Sequence, residues 1–203
     1  MGDPRIDDVI SFWFGAAGDS PETRMQRWFR PDPAFDASIR TRFGALLDEA
    51  AAGKLTGWPA TPRGALALIL VLDQFPRNVF RGTAGAFAYD ARALDAARGA
   101  LAEGHDRELG YLERMFLLLP FEHAEDRETQ RESVAHYEAL HAEAKAAAAP
   151  AGEIATLAAA LDYAHRHKAI IDRFGRYPHR NALLERTSTG EEVDFLQEPG
   201  SSF

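Results

Sequence analysis

Apolar residues recur at intervals of three and four along nearly the whole chain, and prolines and glycines punctuate the recurrence. Asp3-Pro4 precedes Ile6, Val9, Ile10, Trp13 and Phe14, Ser20-Pro21 precedes Met25, Trp28 and Phe29, and Asp32-Pro33 precedes Phe35, Ile39, Phe43, Leu46 and Leu47. Each is a capping residue with proline at the first helical position and an apolar stripe behind it, which predicts an amphipathic helix. Gly15, Pro31 and Gly53 end these helices, Gly53 as a left-handed cap. Thr61-Pro62 opens the next, and its stretch Leu66 to Phe80, LALILVLDQFPRNVF, is the centre of the pattern. The first half of that stretch is apolar enough for a helix buried on most sides. The second half delivers Asp73, Gln74, Arg77 and Asn78 around Phe75-Pro76. Proline lacks an N–H and disfavours α geometry in the residue before it, so the helix is predicted to stop or kink near Phe75.

Further along, Tyr89-Asp90 begins an alanine-rich helix that runs to Gly104, and Leu109 to Leu119 predicts a buried helix closed by Pro120. Asp126 caps a long helix bearing Val134, Tyr137 and Leu140, which fades over Ala146 to Ala149. Gly152 to Phe174 predicts another, ended by Gly175, and Thr189 with Glu192 forms a capping box for a short last helix before the tail 198–203. No segment alternates with period two among β-branched residues. The predicted fold is all-α, one domain over residues 1–203. Short connections point to antiparallel hairpins in a tetratricopeptide-like right-handed array, with a closed bundle as the competing architecture.

Composition removes several classes of function. An apolar fraction of 46% and a charged fraction of 27% are those of an ordinary globular chain. The net charge of -8 opposes nucleic-acid binding, which depends on a basic surface that releases counterions. The absence of cysteine excludes disulfides, thiolate metal sites and a cysteine nucleophile, and fits a reducing compartment. The start, MGDPRIDDVI, is acidic where a secretion signal is basic, and no apolar run approaches about 20 residues. The sequence therefore predicts a cytoplasmic chain with no membrane or nucleic-acid partner. A glycine-rich phosphate loop, a nucleophile elbow and an HExxH motif are all missing, and no cofactor is implied.

The chemistry concentrates in three polar knots beside apolar helices: LDQFPRNVFRGT at 72–83, ERMFLLLPFEHAED at 113–126 and RFGRYPHRNALLERTST at 173–189. With the aromatic start SFWFG and the terminal EPGSSF, these resemble the bacterial domain-of-unknown-function 924 family over essentially the whole chain. The matching positions are Asp73, Gln74, Pro76, Arg77 and Asn78, then Arg114, Pro120, His123, Glu125 and Asp126. In the last part of the chain they are His167, Arg173, Gly175, Arg176, Pro178, His179, Arg180 and Asn181. The resemblance implies an all-helical, tetratricopeptide-like fold and carries no reaction with it.

The knots support more than one reading. If they meet in space, Arg77, Arg81, Arg114, Arg173, Arg176 and Arg180 outweigh Asp73, Glu113 and Asp172, and arginine's planar fork suits a carboxylate or phosphate. The expected ligand is then a small anion, held by Asp73, Gln74, Arg77, Arg114, His167, Arg173, Arg176, Arg180 and Asn181. His123 and His179 are the candidate proton carriers. The same arginines also serve as helix caps and structural ion pairs, which leaves a helical module that holds a peptide or partner protein. A carboxylate-bridged metal site is a further alternative, since Glu138 with His141 and Asp162 with His165 place ligand pairs at i and i+3, with Asp73 and Glu113 on other helices. The tail is expected to fold back so that Glu198 or the terminal carboxylate meets a knot arginine.

Overall fold

The computed structural model describes residues 2–15, 19 and 21–201. Ser20, predicted as a cap, and the terminal pair Ser202-Phe203 lie outside the described residues. The described residues form ten α-helices joined by short loops and 3-10 turns, with no strand among them. These are α1 (Pro4–Phe14), α2 (Pro21–Phe29), α3 (Pro33–Ala51), α4 (Pro62–Ile69), α5 (Phe75–Val79), α6 (Asp90–Ala102), α7 (Tyr111–His123), α8 (Arg127–Ala146), α9 (Ala151–Phe174) and α10 (Gly190–Phe195).

The predicted caps do the work that their side chains allow. Asp3 accepts from the Arg5 amide at 3.0 Å, Asp32 from that of Ala34 at 2.9 Å, and Asp126 from that of Thr129 at 2.8 Å. Each satisfies an amide at the start of a helix that has no intrahelical partner. Gly53 and Gly175 close their helices at φ +72° and +71°, where a side chain would be strained.

The organising stretch departs from expectation. The chain does not stop at Phe75: α4 passes through a π-helical turn, Leu70–Gln74, directly into α5. The Phe75 amide donates to the Leu70 carbonyl, five residues back, and Phe75 itself is α-helical at φ -60°, ψ -40°. The wider turn accommodates Pro76 without ending the helix, and it inserts the extra residue at the point where Asp73 and Gln74 leave the apolar run. Such π-turns recur at functional sites. Pro120 is likewise no terminus; α7 continues past it to His123. A mid-helix proline costs about 3 kcal/mol. Burial of Phe75, Phe116 and Phe121, each contributing roughly 1.5–3 kcal/mol, outweighs it.

Leu66, Ala67, Ile69, Leu70 and Val71 are wholly buried, and α4 packs against α1, α6 and α7. Aromatic rings knit the early helices to the later ones: Trp13 meets Phe75 at 6.0 Å and Phe116 at 5.5 Å, and Trp28 meets Phe116 at 4.8 Å. Helices α7, α8 and α9 follow as antiparallel hairpins, so α7 and α9 run in the same direction. A smaller cluster, Ile170, Ile171 and Tyr177 with Phe174 and Phe195, seats α10 against the end of α9. No helix of the described residues is long and apolar enough to cross a membrane.

Candidate functional site

Four helical faces enclose a cleft of about 670 Å³. Met25, Trp28 and Phe29 come from α2, Met115, Leu119, Glu122 and His123 from α7, and Thr156, Ala159, Ala160, Tyr163 and His167 from α9. Gln74, Arg77, Asn78 and Arg81 come from the π-turn and the segment after it. Within each element these positions recur three and four residues apart, so one stripe per helix faces the cavity. The loop after α9 adds His179, Arg180 and Leu183, and Phe87 comes from the turn before α6.

The π-turn places Asp73 behind the cleft wall, fully buried beneath the lining residues Gln74, Arg77 and His123. Its Oδ1 accepts from His123 Nδ1 at 2.7 Å and lies 3.1 Å from Arg77 Nη1, and its Oδ2 accepts from Gln74 Nε2 at 2.6 Å. Burial alone would raise this carboxyl's pKa, but Arg77 and His123 overturn that and hold it well below the usual carboxylate range. A carboxylate only accepts, so His123 carries its hydrogen on Nδ1 and presents the Nε2 lone pair, which has no partner among the described residues. Burial, with the Arg77 charge, lowers the His123 pKa despite Asp73. At neutral pH the ring is a base held in one tautomer.

Arg77 and Arg180 meet at Asp90, the first residue of α6: Oδ2 accepts from Arg77 Nη2 and from Arg180 Nη1, both at 3.1 Å. Arg77 is further tied to the Asp73 carbonyl at 2.6 Å. Arg180 lies 4.5 Å over the Phe87 ring and 4.6 Å over Tyr177, and its Nη1 bond to Asp90 is its one hydrogen bond to the described residues. Its buried Nε has no hydrogen-bond partner there.

Glu122 completes the polar end. Oε1 lies 3.1 Å from His167 Nδ1, which donates to the Tyr163 carbonyl, and the buried Oε2 makes no hydrogen bond within the described residues. Burial, reinforced by the Asp73 charge, pushes the Glu122 carboxyl up to about 8. Burial takes His167 down to about 3, helped by His123, and His179 down to about 4, helped by Arg180. The cleft thus ends in Arg77 and Arg180 balanced by Asp73 and Asp90, surrounded by groups that are neutral at pH 7.

Of the residues that the sequence nominated, Asp73, Gln74, Arg77, His123, His167, His179 and Arg180 gather here. Arg114, Arg173, Arg176 and Asn181 do not. Arg114 points to the opposite side of α7, where Glu143 accepts at 2.7 and 2.8 Å. Arg173 pairs with Glu191 at 2.8 Å. Arg176 holds Glu192 at 2.6 and 2.7 Å, and Asn181 bonds Ser188 and Glu192 in the same knot. Arg81 is bound to Asp36 at 3.0 Å. The expected surplus of positive charge is therefore corrected to one incompletely partnered guanidinium, Arg180. The four-helix metal site does not assemble either. Glu138 and His165 come only within 3.9 Å on an exposed face, Asp162 pairs with Arg166, and no group of three or more metal-ligating side chains occurs among the described residues.

Asp90 and Glu122 are residues that the sequence reading did not place in the site. Glu122 had a signal: it continues the buried stripe of Met115 and Leu119 at i+7 and i+3, so a carboxyl sits on an apolar face. Asp90 carried none, since its partners lie 13 and 90 residues away.

The model of a family described as "Bacterial protein of unknown function (DUF924)" matches residues 9–200. The solved structure of a protein of unknown function from Agrobacterium tumefaciens, ATU0120, is similar with a TM-score of 0.80 and 36% sequence identity, covering 96% of this chain and 97% of that one. No curated protein matches.

Proposed function

The chain belongs to the DUF924 family of bacterial proteins, and because that family's description names no activity, we propose one from the cleft: it binds a small organic acid at the polar end and moves a proton there. The observation that carries this reading is His123, fixed through Nδ1 by buried Asp73 with Nε2 unpartnered, in the same cavity as the underused donors of Arg180. His123 acts as the base, Arg180 holds the anion, and the neutral Glu122 carboxyl supplies a hydrogen-bond donor. His179 stands beside Arg180 as a second proton carrier.

Charge balance favours a carboxylate over a phosphate. With Arg77 and Arg180 set against Asp73 and Asp90, a monoanion is neutralised by a single proton taken up on His123. A dianion needs two in a buried place, where uncompensated charge is expensive. Binding should therefore weaken as pH rises through neutrality.

The test is a thermal-shift comparison of short carboxylic acids with their amides. Acids should raise the melting temperature of the wild type by several degrees at pH 6, amides should not, and Arg180→Gln should abolish the response. Equal stabilisation by amide and acid, or an Arg180→Gln protein that responds like the wild type, rejects the reading.

A further inference from the structure

The proposed acid site occupies only one end of the cavity. Met115 precedes His123 by eight residues on α7, and Ala160 precedes His167 by seven on α9, so each apolar position lies about 10–12 Å from its polar counterpart along the helix. The two helices run in the same direction, and Glu122 on α7 touches His167 on α9 at 3.1 Å, which aligns their polar ends. Trp28 and Phe29 pack on Phe116, next to Met115, and so belong to the far end. The cavity is graded along its length: Arg77, Arg180, imidazole and carboxyl groups lie at one end, and thioether, indole and methyl groups at the other, where the exposed Arg30 beside Phe29 is the one charged lining residue among those described.

The far end is kept open by small side chains. The cleft-facing stripe of α9 is Thr156, Ala159 and Ala160 before it reaches Tyr163, and Thr156 turns its hydroxyl back onto the Gly152 carbonyl at 2.9 Å. Larger residues on the same helix, Leu157 and Leu161, lie off that stripe. An apolar slot whose polar end holds one incompletely partnered guanidinium, Arg180, and a base matches a molecule built the same way.

We infer that the ligand is an amphipathic monocarboxylic acid whose unbranched hydrocarbon tail lies between α2, α7 and α9, from His123 towards Trp28 and Met115, with its carboxylate at Arg180. This rests on the acid-binding reading above and adds the tail. Small metabolic acids without a tail would leave the far end filled with water against apolar walls.

Calorimetric titration with butyrate, hexanoate, octanoate, decanoate and dodecanoate below their aggregation limits, with 1-octanol as control, tests it. Each added methylene should tighten binding about fourfold until the chain outgrows the slot. Ala160→Leu should abolish octanoate binding and leave butyrate binding in place. Ala159→Leu, at an exposed position of the same wall, should weaken octanoate tenfold or more and serves if Ala160→Leu fails to fold. Butyrate binding as tightly as octanoate, or both wall variants binding octanoate like the wild type, overturns the tail assignment while the acid site stands. Octanol binding as tightly as octanoate overturns the acid site and the amphipathic ligand with it. No binding by any member rejects both.

Discussion

The polar end of the cleft and the knot after α9 are built from the same materials and wired in opposite ways. In the knot, Arg186 donates to both oxygens of Glu125 at 2.5 and 2.9 Å, to the Tyr177 carbonyl at 3.2 Å and to Asn181 at 3.0 Å. Arg176 spans both oxygens of Glu192, and Glu192 closes a capping box with Thr189. Each of these guanidiniums is matched to a carboxylate with fork-to-fork geometry. At the cleft, two guanidiniums share Asp90, and Arg180 has one hydrogen bond to it. Oε2 of Glu122 and Nε2 of His123 have no hydrogen-bond partner among the described residues. Arginine density therefore does not mark a ligand site in this chain. Unsatisfied donors and acceptors beside a cavity do, because a saturated knot has nothing left to offer a ligand.

The sharpest way to break this contrast is to open the saturated knot. Glu125 also accepts from the Tyr177 amide at 2.7 Å, so Glu125→Ala strands Arg186 and a backbone donor together. The expected loss is about 3 kcal/mol, a fall in melting temperature of roughly 6–12 °C for a chain of this size. The stabilisation given by carboxylic acids should survive unchanged in scanning calorimetry. If acid-induced stabilisation vanishes with it, the knot belongs to the site and the two regions are one.

The same contrast explains what was readable in the sequence. Asp3, Asp32, Thr61, Asp126 and Thr189 were legible as caps because a cap bonds two or three residues away. Gly53 and Gly175 were legible because φ alone selects them. Pro76 and Pro120 misled for the converse reason: their local preference is to end a helix, and burial of Phe75, Phe116 and Phe121 overrides it. The site was half legible. Asp73, Arg77, His123 and Arg180 stand out as polar groups beside apolar runs. Which arginine is saturated depends on partners such as Glu125, 61 residues from Arg186, and no local pattern carries that pairing.

A second prediction separates the regions by pH. The knot's carboxyls are held low: burial would raise Glu125, but Arg186 lowers it, and Arg176 brings Glu192 to about 2. Both stay charged above pH 5. Glu122, His167 and His179 in the cleft are shifted the other way, towards their neutral forms. His167 and His179, lowered from 6.5 to about 3 and about 4, bind fewer protons folded than unfolded, so their stabilisation is complete above pH 6.5 and is lost on acidification. Glu122, raised from 4.5 to about 8, binds more, so its contribution is complete below pH 4.5 and is lost as pH rises to 8. Stability should peak near pH 6.5 and fall by up to roughly 1.4 kcal/mol per pH unit towards 8. Urea denaturation of Glu122→Gln should be flat over that alkaline limb. Parallel wild-type and variant profiles would show that Glu122 is ionised in the folded protein at neutral pH.

The smallest effect is expected where the sequence had nominated a ligand arginine and the chain has placed a surface pair. Arg173 and Glu191 have side chains 44% and 62% exposed, and their 2.8 Å contact is surrounded by water on most sides. Such pairs contribute at most about 1 kcal/mol, since solvent screens the attraction and ordering two long side chains opposes it. Arg173 also covers the Phe174 ring at 4.6 Å and that of Phe195 at 5.6 Å, and this stacking should outlast the ion pair. Glu191→Gln should therefore shift the melting temperature by less than about 2 °C, and Arg173→Ala by somewhat more because it bares two rings. Acid-induced stabilisation should be identical in both variants. A larger loss in Glu191→Gln than in Arg173→Ala would mean that charge, not ring coverage, seats α10, and the knot would then owe its stability to salt-sensitive attraction.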